Sequence, residues 1–220
     1  MIQRMSKDKF LDRHEAGRIL AKSLTEYASN QNVVVLALPR GGVPVAFEIA
    51  MALSIPLDVF IVRKLGLPGH EEFAMGAIAS GGTVVFNESL VNRLDLSLLS
   101  VKTVIEREQK ELIRREQLYR GVRPFPNLEG KTIILVDDGI ATGSTMRAAI
   151  KALRQHQPEC LVVAVPVAAN STCREMEFLV DKLICPMKPI DFYAVGLWYE
   201  NFSQTSDDEV IELLKKAKTE

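Results

Sequence analysis

Two adjacent carboxylates, Asp137 and Asp138, follow a run of aliphatic and β-branched residues at 132–136. A short turn of small and hydroxyl-bearing residues comes directly after them, and a stretch with helical spacing of apolar residues follows. The carboxyl end of a parallel strand opens into the crevice where open α/β sheets bind ligands, so paired carboxylates there could accept hydrogen bonds from a diol or hold a hydrated metal. The segment therefore predicts a site for a hydroxylated, sugar-like ligand.

The turn itself has the composition of an anion site. Thr142, Ser144 and Thr145 supply hydroxyl groups, and the first amides of the following helix supply unpaired donors. The helix dipole adds partial positive charge at the same point, which favours a phosphate. Gly143 allows the backbone to approach the ligand closely. One stretch could thus hold a sugar and the phosphate attached to it.

A second candidate anion site lies at 38–43, after another apolar run. Arg40 stands beside Gly41 and Gly42, whose amides can face an anion together. The same composition is common in ordinary turns, but its place between a predicted strand and a predicted helix favours binding.

A segment rich in charge and turn formers begins at Arg63 and Lys64 and continues to 72. We predict a mobile loop there, followed by a hairpin around 75–86, because proline and glycines punctuate the sequence. Each of the two cations could serve an anionic ligand or belong to a solvated turn, and both interpretations stay open.

A parallel sheet is needed to position these residues. Short apolar runs alternate with stretches of helical periodicity, which predicts an α/β fold with about five parallel strands and helices on both faces. The predicted strands are 33–38, 57–62, 132–136, 161–167 and 182–185, and the predicted helices are 10–29, 42–53, 144–156 and 171–180, the last with Ser171 as its N-cap.

Two further helices and an aromatic cluster are predicted outside this alternation. Apolar residues at helical steps predict a long amphipathic helix over 97–120, with a solvated charged face: Leu98, Val101, Ile105, Leu112 and Tyr119. Ser206 and Glu209 have capping-box spacing and predict a helix over 207–217. Aromatic residues gather just before it, where they could close the core: Phe192, Tyr193, Trp198, Tyr199 and Phe202.

Composition narrows the class of protein. The 220 residues are 47% hydrophobic, and 27 Lys and Arg balance 28 Asp and Glu, so no broad basic field exists to hold nucleic acid or a membrane. The longest apolar run is too short to span a bilayer, and the three cysteines form no zinc-binding pair. We expect a cytoplasmic protein with buried thiols and with neither nucleic acid nor membrane as partner.

The segment 136–145 resembles the signature of the type I phosphoribosyltransferases, a hydrophobic strand followed by two acidic residues and a turn of the T-G-x-T kind. The segment 38–43 looks like the pyrophosphate loop of that family, and 63–72 looks like the start of its flexible catalytic loop. The resemblance covers about 10–205 and is closest to an uncharacterised branch of the family. It implies the type I phosphoribosyltransferase fold.

The resemblance also implies a domain organisation and a state of assembly. The chain would be a single phosphoribosyltransferase domain over 1–220, with a loop and long-helix insertion at 63–125 and a small C-terminal hood at 186–205. A homo-oligomer, a dimer, is expected.

The implied activity belongs to nucleotide metabolism. It is transfer of the 5-phosphoribosyl group from phosphoribosyl pyrophosphate to a nitrogenous base, with release of pyrophosphate and with Mg²⁺ as cofactor. The implied catalytic residues are Asp137, Asp138, Arg40 and Lys64, and the two carboxylates would meet the metal indirectly, through ribose hydroxyls or water. The implied substrate-binding residues are Gly41, Gly42, Arg63, Gly139, Ile140, Ala141, Thr142, Gly143, Ser144, Thr145, Phe192 and Tyr199.

Three structural details follow from the resemblance. The family's pyrophosphate loop often has a cis peptide bond before its cationic residue, which predicts one between Pro39 and Arg40. Ile140 and at least one of Phe192 and Tyr199 are expected to line a partly open pocket over the acidic pair. Ala141 stands where hypoxanthine–guanine enzymes carry an acid for the base nitrogen, so a 6-oxopurine acceptor is not expected.

The alternative function is a non-catalytic regulator that senses phosphoribosyl pyrophosphate or a nucleotide with the same cleft. Fused DNA-binding segments usually accompany such regulators, and a chain with a net charge of −1 has no evident one. The sequence therefore favours the enzyme.

Overall fold

The computed structural model of the chain describes residues 9–87 and 97–218. Its strands are β1 (Val33–Ala37), β2 (Leu57–Val59), β3 (Val62–Leu67), β4 (His70–Ala79), β5 (Thr83–Phe86), β6 (Thr132–Val136), β7 (Cys160–Ala164) and β8 (Lys182–Ile184). Its α-helices are α1 (Arg13–Ala21), α2 (Gly42–Leu53), α3 (Leu98–Arg120), α4 (Ser144–Arg154), α5 (Asn170–Glu177) and α6 (Asp207–Lys216).

Five strands form a parallel sheet in the order β2-β1-β6-β7-β8. Every residue of β1 is buried, as expected for β-branched and aliphatic runs in a sheet that is covered on both faces. Alternate strand residues enter two apolar clusters, one on each face. The predicted α/β class with a five-stranded parallel sheet is confirmed. Because β1 and β6 are neighbours, with Ala37 opposite Val136, the two candidate ligand segments leave the sheet side by side.

The segment after β2 forms a second sheet, and the prediction of a mobile loop beginning at 63 is wrong. Strands β3, β4 and β5 are antiparallel, and the hairpin predicted around 75–86 is their second half. Residues 65–67 of β3 are buried, but the charges of Arg63 and Lys64 at its start had suggested a solvated turn. The predicted strand 57–62 is divided between the two sheets. β2 ends at Val59 in the parallel sheet, and Val62 begins β3 in the antiparallel sheet.

The helices follow the predictions most closely next to the two ligand segments. α2 has the predicted bounds and α4 begins at the predicted residue. α1 is shorter than predicted and is capped by Asp12, whose side chain accepts from the amide of Glu15. Ser171 is not an N-cap: the Cys173 amide donates to the carbonyl of Ala169, so α5 begins one residue before Ser171.

The long helix α3 buries only part of its predicted apolar stripe. Leu112 and Tyr119 are buried, whereas Leu98 is 88% exposed at the N-terminal end. Its charged face is not wholly solvated either, since Glu108 is buried and accepts from the guanidinium of Arg63 on β3. The helix therefore holds the antiparallel sheet through an ion pair as well as through apolar contacts.

The C-terminal segment packs on the first helix. Tyr199 is buried with Phe10, and Phe192, Trp198 and Phe202 pack around them, while Tyr193 is exposed. α6 begins as predicted, with the Ser206 hydroxyl accepting from the amide of Glu209. Cys173 and Cys185 are buried, and Cys160 is partly exposed. No helix in the described part of the chain has the length and apolarity needed to cross a membrane.

Candidate functional site

Asp137 and Asp138 lie where β6 leaves the central sheet, beside the end of β1. The Leu38 amide donates to the carbonyl of Val136 and ties the two strand ends together. The Asp138 amide donates to Asp137 Oδ1 at 2.9 Å, which fixes the first carboxylate next to the second. Both side chains are partly buried, so the pair is shielded from water and still reachable by a ligand.

Arg13 is a site residue that the sequence did not reveal. Its Nε donates to Asp138 Oδ2 at 2.8 Å, and its Nη1 donates to the carbonyl of Ser203 at 2.7 Å. The guanidinium also lies over the ring of Phe202, 3.9 Å from its centroid. Asp12 begins α1 and so directs Arg13 inward, but 125 residues separate Arg13 from Asp138, and no local pattern could report the contact.

The ionised form of the acidic pair is destabilised by its surroundings, which favours ligands that are positive or donate hydrogen bonds. Burial raises the pKa of Asp137 well above its ordinary value, and the neighbouring carboxylate raises it further. Burial also raises the pKa of Asp138, although Arg13 opposes that shift. A ligand that supplies hydroxyl donors or a cation would relieve this cost, because it stabilises the ionised form.

Gly41 and Gly42 pack directly against the acidic pair. A Cβ added at Gly41 would lie 2.0 Å from Asp138 Oδ2, and one added at Gly42 would lie 3.0 Å from the Cα of Asp137. Only glycine allows this approach. The structure thus brings the segment that resembles a pyrophosphate loop to the carboxylates, and the predicted cis peptide bond between Pro39 and Arg40 is confirmed.

Arg40 is the cation of this loop. Its Nη1 lies 3.8 Å from Asp207 Oδ1 at the start of α6, and its side chain is 37% exposed. Asp207 in turn accepts from the hydroxyl of Tyr119, and burial raises the pKa of that tyrosine to about 12, so it remains a donor. Arg40 is therefore positioned from outside the loop by α3 and α6.

The turn after the acidic pair has the geometry of an anion site. Gly143 has a φ of +75° and occupies the N-cap position of α4 without a side-chain cap. Two side chains hold the turn by its carbonyl groups. Thr172 Oγ1 donates to the carbonyl of Ala141, and Arg147 Nη2 donates to the carbonyl of Thr142. The amides that begin α4 are therefore left for a ligand.

A cavity of about 200 Å³, the turn cavity, lies beside Asp137 and the turn. Its walls are Asp137, Gly139, Ile140, Ala141, Thr142, Gly143, Ser144, Thr145, Met146 and Val195. Most of the predicted substrate-binding residues from this segment are thus brought together. Val195, from the C-terminal segment, was not predicted, and apolar size alone gave no signal for it.

The predicted aromatic wall of this cavity is wrong. Tyr199 is only 3% exposed, and its hydroxyl donates to the backbone carbonyl of Asp138 at 2.6 Å. Burial raises its pKa, so the phenol stays protonated there. Phe192 stacks on Trp198, with ring centroids 6.3 Å apart, and does not line the cavity. Tyr199 therefore holds the backbone of Asp138 in place and does not cover a ligand.

Arg63 and Lys64 are not brought to the acidic pair. The guanidinium of Arg63 donates to Glu108 from both Nε and Nη2, at 3.0 and 2.6 Å. Lys64 lines a different cavity, between the antiparallel sheet and α4. Both cations belong to β3, whose pairing with β4 fixes their directions.

The donor set suits a metal that retains water and ligand oxygens. No group of three or more metal-binding side chains occurs within 9–87 and 97–218. Two adjacent carboxylates can hold hydrated Mg²⁺ when a phosphorylated ligand supplies the remaining oxygens. Asp137 and Asp138 fit that role because they are adjacent and partly buried, and Asp137 lines the turn cavity.

Most of the chain matches a known protein family. The family model of the phosphoribosyl transferase domain matches residues 7–199. Curated proteins from two strains of Mycobacterium tuberculosis, provisionally named phosphoribosyl transferases, are 44% identical over 208 residues, which is 94% of this chain and 47% of theirs. The chain thus spans about half the length of these relatives.

A crystal structure of a protein from Thermus thermophilus is similar over nearly the whole chain. It is 38% identical, with a TM-score of 0.83 over 94% of this chain and 98% of that one. A shorter similarity, 39% identity over 61 residues, links the chain to a protein of Haemophilus ducreyi named bifunctional protein PyrR and covers 28% of this chain and 34% of that protein.

Proposed function

The chain belongs to the phosphoribosyl transferase domain family, and from that premise we propose that it transfers the 5-phosphoribosyl group of phosphoribosyl pyrophosphate to a nitrogen of a free base. One observation carries the proposal. The acidic pair, the glycines of the loop after β1 and the open N-terminus of α4 converge on the end of the same two strands. A sugar, its phosphate and a pyrophosphate are thereby each offered a chemically suitable neighbour.

The acidic pair acts on the ribose in this proposal. Asp137 and Asp138 accept from the ribose hydroxyls, and their negative charge stabilises the positive charge that grows on the ring as the bond from C1 to the pyrophosphate oxygen breaks. Arg13 holds Asp138 in place through its 2.8 Å contact. The amides of the turn bind the 5-phosphate and fix C1 relative to the acceptor.

The pyrophosphate leaves toward the loop after β1. Arg40 and the amides of Gly41 and Gly42 balance the negative charge that develops on the leaving group. Arg63 is left out of this proposal because Glu108 holds its guanidinium, and Lys64 is left out because it lines another cavity.

Mg²⁺ is the proposed cofactor, and it neutralises charge on the pyrophosphate when it is bound with the substrate. Asp137 and Asp138 would hold it indirectly, through ribose hydroxyls or water. Their raised pKa values mean that they gain more than an exposed pair from a nearby cation.

The acceptor is proposed to enter beside Ile140 and Val195. These apolar side chains offer dispersion contacts to a flat base but no polar group that selects one. Ala141 provides no carboxylate for the base nitrogen, so we propose that hypoxanthine and guanine are not efficient acceptors. Selection must come from backbone groups of the turn or of the segment around Val195.

Pyrophosphate release tests the proposal. The chain is incubated with Mg²⁺, phosphoribosyl pyrophosphate and single bases from a panel that includes adenine, orotate, uracil, hypoxanthine and guanine. We expect release with one base class other than 6-oxopurines and none from a variant with both Asp137→Asn and Asp138→Asn. Tight binding of phosphoribosyl pyrophosphate without release for any base would instead support the sensor, and efficient hypoxanthine turnover would refute the assignment for Ala141.

A further inference from the structure

A second cavity, of about 540 Å³, lies between the antiparallel sheet and α4. We call it the sheet–helix cavity. The sheet supplies an apolar wall: Val62, Ala74, Gly76, Ala77, Val85 and Phe86. The opposite wall is polar and is built by α4: Ser144, Thr145, Arg147 and Lys151. Lys64 and Asn87 add polar groups from the sheet side. One cavity therefore joins a flat apolar surface to a row of hydrogen-bond donors.

The cavity is strongly cationic. Lys64, Arg147 and Lys151 line it, and none of its described lining residues carries a carboxylate. Arg147 is partly neutralised by Glu175, at 3.1 Å. Among the described residues, no carboxylate forms an ion pair with Lys64 or Lys151; the ammonium group of Lys151 donates to the carbonyl of Phe86 at 2.7 Å. Two positive charges thus line the cavity beside its apolar wall.

We propose that the sheet–helix cavity binds a small organic anion, a phosphate or carboxylate joined to a flat apolar body. The anionic group would meet Lys64, Lys151 and the hydroxyl of Thr145 as charge-assisted hydrogen bonds. The flat body would cover Ala74, Ala77 and Val85, which leave room because two of them are alanines. A volume near 540 Å³ is in the ordinary range for small-molecule sites.

This site is distinct from the turn cavity. The two cavities share only Ser144 and Thr145 among their described walls. Lys151 lies about two helical turns beyond Ser144, away from the acidic pair. Ligand binding here does not depend on the proposed transfer reaction, so the two can be tested separately.

Calorimetric titration of the full chain with simple probes tests the chemistry. Phenyl phosphate and benzoate carry both required parts, with different anionic groups, whereas inorganic phosphate and phenol carry one part each. We expect at least one aromatic anion to bind at least tenfold more tightly than either half, and the tighter of the two identifies the anionic group. Binding of phosphate as tight as that of phenyl phosphate, or binding of neither aromatic anion, would overturn the proposal.

Paired variants locate the bound probe. Lys151→Gln removes the charge but keeps a donor for the Phe86 carbonyl, and Ala74→Phe fills the space; each should weaken probe binding at least tenfold. Lys110→Gln, at an exposed lysine of α3, is the charge control and should leave affinity unchanged. Thr142 lines the turn cavity but not the sheet–helix cavity, so Thr142→Val should also leave the probe bound.

Two patterns of result would contradict the assignment. Loss of probe binding in Thr142→Val with retention in Lys151→Gln and Ala74→Phe would place the probe at the turn. Equal loss in Lys151→Gln and Lys110→Gln would indicate a general charge effect. Separate titration of each variant with phosphoribosyl pyrophosphate and Mg²⁺ reports on the transfer site, so failure of the proposed function cannot be mistaken for failure of this one.

Discussion

Two clusters of carboxylates and arginine lie within the same fold and are built differently. At the end of β6, Asp138 bonds to Arg13, while the nearest polar partner of the Asp137 carboxylate is the backbone amide of Asp138. Under α3, Arg120 is buried, and its guanidinium bonds to Asp58 at 3.1 Å and to Glu116 at 3.2 Å. Each cluster has one guanidinium and two carboxylates.

The difference lies in how completely the charges are matched. Arg120 touches both of its carboxylates, donates to the carbonyl of Val59 and lies 5.2 Å from the ring centroid of Phe125. Asp137 instead has a second carboxylate as its neighbour, and burial together with that charge raises its pKa. Every charge in the Arg120 cluster is paired, whereas the Asp137–Asp138 cluster gains from a ligand.

This contrast separates a cluster that stabilises the fold from one that binds. Removing one partner from a fully paired buried cluster acts on the fold, because it leaves an uncompensated buried charge. A buried pair of carboxylates beside a cavity, with glycines packed against it, is kept at a cost that a ligand can offset. Substitutions in each cluster distinguish these two roles.

Arg120→Met should have the largest effect, and on stability alone. It leaves Asp58 and Glu116 without their shared cation, so we expect the free energy of unfolding to fall by about 3–5 kcal/mol in chemical denaturation. Arg114→Met, which removes an exposed pair with Glu111 on the same helix, should change the midpoint little. A stable Arg120→Met protein with altered ligand affinity would break the comparison.

Asp137→Asn combined with Asp138→Asn should do the opposite. The shape is kept and the charge is lost, so affinity for phosphoribosyl pyrophosphate with Mg²⁺ should fall at least 100-fold, about 2.7 kcal/mol, by calorimetry. The free energy of unfolding at pH 7 should stay within about 1 kcal/mol of the wild type, because the buried charges carry a desolvation cost. Unchanged affinity would remove the acidic pair from the site.

Arg63→Met asks to which kind of cluster the pair with Glu108 belongs. Glu108 is buried, and the change leaves it with Arg107 as its cation, so we expect a loss of about 1–3 kcal/mol in stability. Adding Glu108→Gln should recover part of that loss. If the single variant keeps its stability but loses pyrophosphate release, Arg63 acts on the substrate and the resemblance to a catalytic loop holds there.

Arg13→Met should weaken ligand binding more modestly. Without its guanidinium, Asp138 keeps its carboxylate but loses the contact that orients it, and we expect affinity for phosphoribosyl pyrophosphate to fall about tenfold, about 1.4 kcal/mol. Arg18→Met, on the same helix but paired with Glu48 at the surface, is the matched control and should leave the affinity unchanged. Equal effects from both would mean that only net charge matters.

The pH dependence of stability should show the smallest effect. Burial raises the pKa values of Asp137 and Asp138, so the stability associated with their protonated forms is fully present below about pH 4 and is lost as pH rises through the raised values. The wild type should therefore lose stability relative to the double Asn variant on going from pH 4 toward neutrality, by less than about 1.4 kcal/mol in total, which corresponds to one pKa unit of one group. Parallel pH curves for the two proteins would contradict it.

The features of the site that are contiguous in sequence could be predicted. The strand, acidic pair and turn over 132–145 lie in one segment, so their order along the chain determines their geometry at the start of α4. The helix α2 was accessible for the same reason, whereas the cis bond before Arg40 was expected only from the resemblance to the family's pyrophosphate loop.

The parts that depend on distant contacts could not be predicted. Arg13 reaches Asp138 from α1, and the buried hydroxyl of Tyr199 supports that residue from the C-terminal segment. Local patterns carry no signal for either contact. In β3, Arg63 and Lys64 precede the buried Leu65 and Leu67, and the charges obscured a strand that only its antiparallel partner explains.

A crystal structure with phosphoribosyl pyrophosphate and Mg²⁺ would show whether the acidic pair and the turn form one binding site. We expect the 5-phosphate within about 2.7–3.2 Å of backbone amides at 143–145 and the ribose hydroxyls at Asp137 and Asp138. A ligand bound elsewhere, with the turn empty at a saturating concentration, would contradict the assignment of the acidic pair and the turn as one binding site.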